Sequence, residues 1–196
     1  GRILARLGDP RPEVMTVDGM EFCFVPAGPF WMGSSDDDPQ AQAEEKPQHL
    51  LDIPYDYWIA RYSVSNAQFA EFVADGGYDQ PKYWVEAAAE GYWQDGKVTG
   101  YTATWNEEQQ KWEFPEETRS GPHRSTLPFN LPNHPRVEIT WHEALAFTRW
   151  LTQRLHSAGT LPDDLTVCLP SEAEWEKAAR GGLEILAEPW ITPISQ

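Results

Sequence analysis

The residues of this chain best suited to chemistry are its thiols, imidazoles, clustered carboxylates and tryptophans. Their spacing limits what each could do. The two cysteines, Cys23 and Cys168, lie far apart and show no CxxC spacing, so neither a zinc site nor a disulfide framework is indicated. The expectation is a pair of buried, reduced thiols in a cytosolic protein. A Cys23–Cys168 bridge depends on Cα separation, which sequence does not carry. His49, His123, His134, His142 and His156 form neither an HxH nor an HExxH pattern, the kind of spacing that puts two imidazoles on one metal. Asp36, Asp37 and Asp38 lack the spaced ligands and bidentate Glu of a calcium loop, and read as a solvated acidic loop. Tyr83, Trp84, Tyr92, Trp93, Tyr101, Trp105 and Trp112 are dense in an otherwise irregular stretch. Such a set is either the core of that stretch or a binding surface, with Trp84, Trp93, Trp105 and Trp112 as the candidate binding residues. No catalytic, cofactor-binding or metal-binding residue is assigned from these patterns.

The rest of the composition narrows the function classes. The chain has 196 residues, ten Trp, seventeen Pro and fourteen Gly, enough for one domain with a real core and many turns, and unlike a helical bundle. A formal charge of −16 argues against nucleic acid, which needs a basic face to displace phosphate counterions, and against anionic membrane surfaces. No apolar run approaches membrane-spanning length. Gly1 to Arg11 has no signal-peptide core, and the first residue is not Met. The expectation is a cytoplasmic segment excised from something longer.

Local signals place the elements. Asp18-Gly19 is a tight-turn dipeptide inside a hairpin from Met15 to Pro26. Gly28 to Gly33 is a second short strand, Ser34 to Gln48 an acidic surface loop, and His49 to Tyr62 extended. Three capping-box spacings, Ser65/Gln68, Thr140/Glu143 and Ser171/Glu174, mark three helix starts. The first helix has Phe69, Phe72 and Val73 as its buried stripe and Gly76-Gly77 as its stop. The second, to about Leu155, has Trp141, Ala144, Leu145, Thr148 and Leu151 on one face. The third turns Trp175, Ala178 and Ala179 inward and stops at Gly181-Gly182. Leu165 to Leu169 reads as a short strand. Asp95-Gly96 predicts a hairpin between Tyr92 and Val98, and a second pair of strands is expected around Trp105 and Trp112. The class is α+β. Trp141, Trp150 and Trp175 are expected to be buried in the assembled domain, where Trp175→Ala should cost about 3–5 kcal/mol, while residues 1–196 alone are expected to leave apolar surface open, including that of Trp175 and Leu186.

Four segments, in order, resemble the formylglycine-generating enzyme (sulfatase-modifying factor) family: MEFCFVPAGPFWMGS at 20–34, IARYSVSNAQFAEFV at 59–73, NHPRVEITWHEALAFTRWL at 133–151 and LPSEAEWEKAARGG at 169–182. The last is the most specific. The resemblance covers about Met15 to Gly182. It implies the family's fold, C-type lectin-like and loop-rich, with short antiparallel strands and two to three amphipathic helices. Residues 1–14 then form a linker and 15–196 the N-terminal part of the domain, with an aromatic-rich irregular region at about 81–135. Two departures stand out. Cys168 sits where the family usually has Arg, and the chain stops soon after Gly182. In the family, the copper-binding cysteine pair and most calcium ligands come later.

The resemblance therefore implies a C-terminal half of the same domain as a partner, in a second chain or segment. It implies calcium as a cofactor open to the intact domain, and no copper held by this chain. The leading functional expectation is a non-catalytic ligand-binding or display module. Examples are a diversity-generating retroelement variable protein or the sensor part of a bacterial multidomain protein. Its partner would be a protein or small-molecule ligand, with no nucleic acid and no membrane. The alternative is a copper-dependent oxidase that makes formylglycine from cysteine, or an iron-dependent relative acting on small thiols.

Overall fold

The structure, a computed structural model, describes residues 14–180. The linker expected at 1–14, the helix stop at Gly181-Gly182 and the residues after it lie outside the described part, apart from Val14. The chain divides into two compact units, one built from residues up to Arg61 together with those from Pro170 on, the other from Tyr62–Leu169.

In the first unit, β1 (Val14–Val17) and β2 (Met20–Val25) form the expected hairpin, in register Val17↔Met20. Asp18 (φ 48°) and Gly19 (φ 73°) both take positive φ, the backbone that matches the twist of a two-residue hairpin. β5 (Tyr57–Ala60) pairs with the other side of β2, giving the antiparallel order β1-β2-β5. β3 (Gly28–Met32) pairs with β4 (His49–Ile53) across a polar, largely exposed loop. Met20, Val25, Phe30 and Ile53 are the unit's buried apolar side chains among the described residues. The unit closes with a helix at Glu172–Arg180.

The second unit starts with helix α1 (Asn66–Ala74). Two single 3-10 turns follow, at Gly77–Asp79 and Pro81–Tyr83, and then a short helix α2 (Val85–Ala89). β6 (Trp93–Gln94) and β7 (Lys97–Tyr101) are joined through Asp95-Gly96, and β10 (Glu116–Arg119) adds to β7. Between β7 and β10 stands the ribbon of β8 (Thr104–Asn106) and β9 (Lys111–Glu113). The long helix α3 (Trp141–Ser157) completes the unit, so the helix at Glu172–Arg180 is α4. Phe72 lies at the centre of an aromatic core, with ring centroids 5.6 Å from Tyr78, 5.8 Å from Trp150 and 6.1 Å from Phe147. Gly77 is required there, because a Cβ would sit 2.0 Å from the Phe72 ring.

Several expectations need correction. No strand forms at 165–169. That segment is held by side chains of α3 instead: Val167 N donates to Thr152 Oγ1 at 2.9 Å, and Leu165 O meets His156 Nε2 at 2.9 Å. Val73 is exposed, leaving Phe69 and Phe72 as the buried side of α1. On α3 the inward face is Glu143, Ala146, Phe147, Thr148, Trp150, Leu151 and Leu155. Trp141 is exposed, and Ala144 and Leu145 are only half-buried. Side chains on a helix lean toward its N-terminus, so a Trp in the first helical position overhangs the end.

On α4 the buried residue is Lys177, 3% exposed, while Trp175 is 61% exposed, Ala179 exposed and Ala178 half-buried. Positions 175 and 177 lie about 200° apart on a helix, so both cannot face inward. The thiols are not both buried either: Cys168 is exposed and Cys23 half-buried. Cys23 is a free thiol, so no bridge joins the two.

Candidate functional site

The aromatic stretch splits into an interior part and an exposed part. Trp84 is fully buried and stacks on Trp93, with centroids 6.3 Å apart and planes at 12°. Both indoles are anchored by backbone oxygens, Trp84 Nε1 donating to Gly77 O at 2.9 Å and Trp93 Nε1 to Tyr78 O at 2.9 Å. These residues hold the 3-10 turns against the aromatic core. Tyr83 is buried with them, and Tyr92 stacks on His142 at 5.1 Å.

Trp105 and Trp112 are placed differently. They are direct cross-strand partners on the β8–β9 ribbon, with centroids 5.4 Å apart and planes at 64°, and stay 42% and 59% exposed. The ribbon is set locally. Gln109 N donates to Asn106 Oδ1 at 3.0 Å, Asn106 Nδ2 donates to Glu113 Oε1 at 2.9 Å, and Gln110 takes φ 51° to close the turn. At its base, Thr102 N donates to Pro115 O at 3.1 Å and Thr102 Oγ1 to Glu117 Oε2 at 2.7 Å, which continues the β7–β10 pairing toward the ribbon. Tyr101 and Phe114 are also exposed. Of the four candidate binding tryptophans, then, Trp105 and Trp112 share one surface, while Trp84 is interior and Trp93 half-buried against it.

Two polar clusters escaped the sequence reading. In the second unit Glu143, 0% exposed, accepts from Tyr78 Oη at 2.5 Å and from Arg119 Nη2 at 2.5 Å, besides capping α3 through Thr140 N at 2.7 Å. Burial first, and the Glu143 carboxylate second, push the Tyr78 phenol far above its ordinary range. In the first unit α4 is fixed to the strands by polar groups. Lys177 Nζ donates to Gly28 O at 2.7 Å, Gly33 N donates to Glu176 Oε1 at 2.8 Å, and Tyr57 Oη donates to the Glu174 carbonyl at 2.5 Å. Burial, with Glu174 adding to it, raises the Tyr57 phenol to about 12. The capping-box spacing announced Glu143 and Glu174, but nothing near them in sequence announced their remote partners.

Among the described residues, no group of three or more His, Cys, Asp or Glu could hold a metal ion. Calcium needs several convergent oxygens, which the described residues do not bring together.

Residues 8–192 match the profile of the sulfatase-modifying factor enzyme 1-like domain. The hercynine oxygenase of Mycolicibacterium smegmatis is 34% identical over 157 residues, covering 79% of this chain and 30% of that protein. The formylglycine-generating enzyme of Thermomonospora curvata is 33% identical over 180 residues, covering 86% of this chain and 52% of that protein. A solved structure, PvdO from Pseudomonas aeruginosa, superposes with a TM-score of 0.45 at 19% identity, covering 81% of this chain and 59% of that one. The chain thus spans about a third of the first relative and about half of the second. With the family profile matched across nearly its whole length, this chain belongs to the sulfatase-modifying factor enzyme 1-like, or formylglycine-generating enzyme, domain family.

Proposed function

We propose that the chain is part of a non-catalytic ligand-binding module of the formylglycine-generating-enzyme fold, and that the Trp105–Trp112 ribbon is where it meets its ligand. The observation that carries this reading is the exposed tryptophan pair. Exposed Trp side chains raised on a polar ribbon are the anchors from which interfaces draw most of their energy. Four residues of the family's most specific motif, at 169–182, have structural partners. Ser171 and Glu174 cap α4, and Glu176 and Lys177 tie it to strand backbone. The reading takes this segment to work with further sequence of the same domain, as its coverage of the relatives suggests, and places the module in the cytoplasm. A retroelement display protein or the sensor part of a multidomain protein are the two settings it allows.

A second reading has its own support. The two relatives named above are an oxygenase and a formylglycine-generating enzyme, so the intact protein is alternatively an oxidase acting on a thiol or cysteine substrate. Fold by itself does not choose between them. Oxygen uptake by the intact protein does. It is supplied in turn with copper(I) and with iron(II), and offered either a cysteine-containing peptide or hercynine with a small thiol. Uptake at the rate of the protein-free control is the expected result. Substrate-dependent uptake above that control makes the protein an enzyme and removes the binding-module reading.

A further inference from the structure

We propose that the Trp105–Trp112 ribbon docks a basic, arginine-bearing segment of a partner protein, held by cation–π contact with the indoles and by the carboxylates of the ribbon's turn, Glu107 and Glu108. This rests on the binding-module reading and names the partner class for the same surface.

Ring geometry is the first support. With centroids 5.4 Å apart and planes at 64°, the pair offers inclined surfaces and not one flat platform. A flat ligand wide enough to cover both indoles finds no continuous plane to stack on. A single side-chain cation needs only one ring face, and is attracted to it within about 6 Å of the centroid.

Charge is the second. From Tyr101 to Thr118 the carboxylates are Glu107, Glu108, Glu113, Glu116 and Glu117, with Lys111 as the one cation. Lys111 is itself drawn to Glu113, at 3.7 Å. The whole chain carries −16, so its field steers cationic partners inward and repels polyanions. Arginine suits the site better than lysine. Its planar guanidinium is weakly hydrated, stacks on aromatic faces and pairs with carboxylates through two hydrogen bonds at once.

The competing account is that the indoles only steady a short ribbon, since a cross-strand aromatic pair stabilises its hairpin. That account has no use for the acidic residues of the turn. Changing those residues therefore separates the two without touching the aromatic pair.

The test uses the intact protein and a fluorescent peptide of alternating glycine and arginine. Binding is read by anisotropy and by quenching of Trp emission at low ionic strength. Matched peptides with lysine or glutamate in place of arginine, and a neutral maltooligosaccharide, complete the set. The arginine peptide is expected to bind and the glutamate peptide not to. The lysine peptide should bind about threefold more weakly, and added salt should weaken binding. Trp112→Ala and the double variant Glu107→Gln/Glu108→Gln should each weaken arginine-peptide binding about fivefold or more. If Trp112→Ala melts early, Trp112→Phe and the double variant decide the matter.

Parental affinity in both of those variants overturns the proposal. So does capture of the maltooligosaccharide in place of the peptide. Either result leaves the binding-module reading standing, because that reading falls only to substrate-dependent oxygen uptake in the assay above.

Discussion

Trp150 is 5% exposed, and its indole nitrogen donates to Asp75 Oδ2 at 3.1 Å, whereas Trp175 is 61% exposed on α4. Truncation should separate them. Trp150→Ala is expected to cost about 3–5 kcal/mol, the usual range for a buried large aromatic, and Trp175→Ala less than about 1 kcal/mol. Urea melts of this chain with each variant check the pair. An equal loss from Trp175→Ala would mean that the helix face has been misassigned. Glu174 gives a prediction in pH. Burial raises its pKa, but hydrogen bonds from the Ser171 backbone, the Ser171 side chain and Tyr55 outweigh that and hold it below its ordinary 4.5. A depressed carboxylate contributes stability above the unfolded value and loses it as pH falls through the folded one. Glu174→Gln should therefore be less stable than the parent at neutral pH, and the gap should shrink as pH drops below 4.5. A gap that stayed constant in denaturant melts across that window would show that the carboxylate's charge is not what stabilises.

At the scale of elements, the capping boxes of α1 and α3 are complete, and the three bonds between Ser171 and Glu174 make the same motif on α4. These starts were legible because a cap is settled by residues three apart. The Asp18-Gly19 and Asp95-Gly96 turns were legible for the same reason. The phase of α3 was not. Apolar residues fall on neighbouring faces of that helix, and the inward one is chosen by Phe69 and Phe72, which meet Phe147 and Trp150, and by Tyr83, whose hydroxyl donates to Gln153. The two members of the α3 box should also differ in weight. Thr140→Ala removes a cap and is expected to cost about 1 kcal/mol. Glu143→Ala also strands Arg119, a partner with an 11% exposed side chain. Breaking a buried pair from one side costs about 3–5 kcal/mol. Thermal melts of the two variants check the order. Equal losses would mean that the Arg119–Glu143 contact adds nothing beyond the cap.

For the molecule as a whole, the unit at Tyr62–Leu169 is continuous in sequence, while the other draws on residues before Arg61 and after Pro170. The continuous unit carries its own aromatic core, from Phe69 to Leu155. A fragment of residues 62–169 is therefore expected to fold alone, with a cooperative melt and the near-ultraviolet signal of ordered Trp84 and Trp150. A fragment lacking both would show that the core needs the rest of the chain. The charge of −16 acts at this scale too, favouring solubility and cationic partners over polyanions.

By itself the sequence determined the class, the Asp18-Gly19 and Asp95-Gly96 hairpins, the three capped helix starts and the family, but not the short helix at Val85–Ala89. Each depends on residues a few positions apart, or on motifs read in order. Tertiary structure alone decided which side chains are covered. Tyr78 and Glu143 are 65 positions apart and Gly28 and Lys177 are 149 apart, so no local pattern could show that a charged residue of α3 or α4 would be buried. The same holds for the aromatic stretch, where the carbonyls of Gly77 and Tyr78 anchor the buried Trp84 and the half-buried Trp93. Trp105 and Trp112 stand on a short ribbon that brings the two indoles against each other and leaves both in contact with solvent. Composition treats the four alike. Burial depends on the packing partner each one finds, and only the folded chain supplies it.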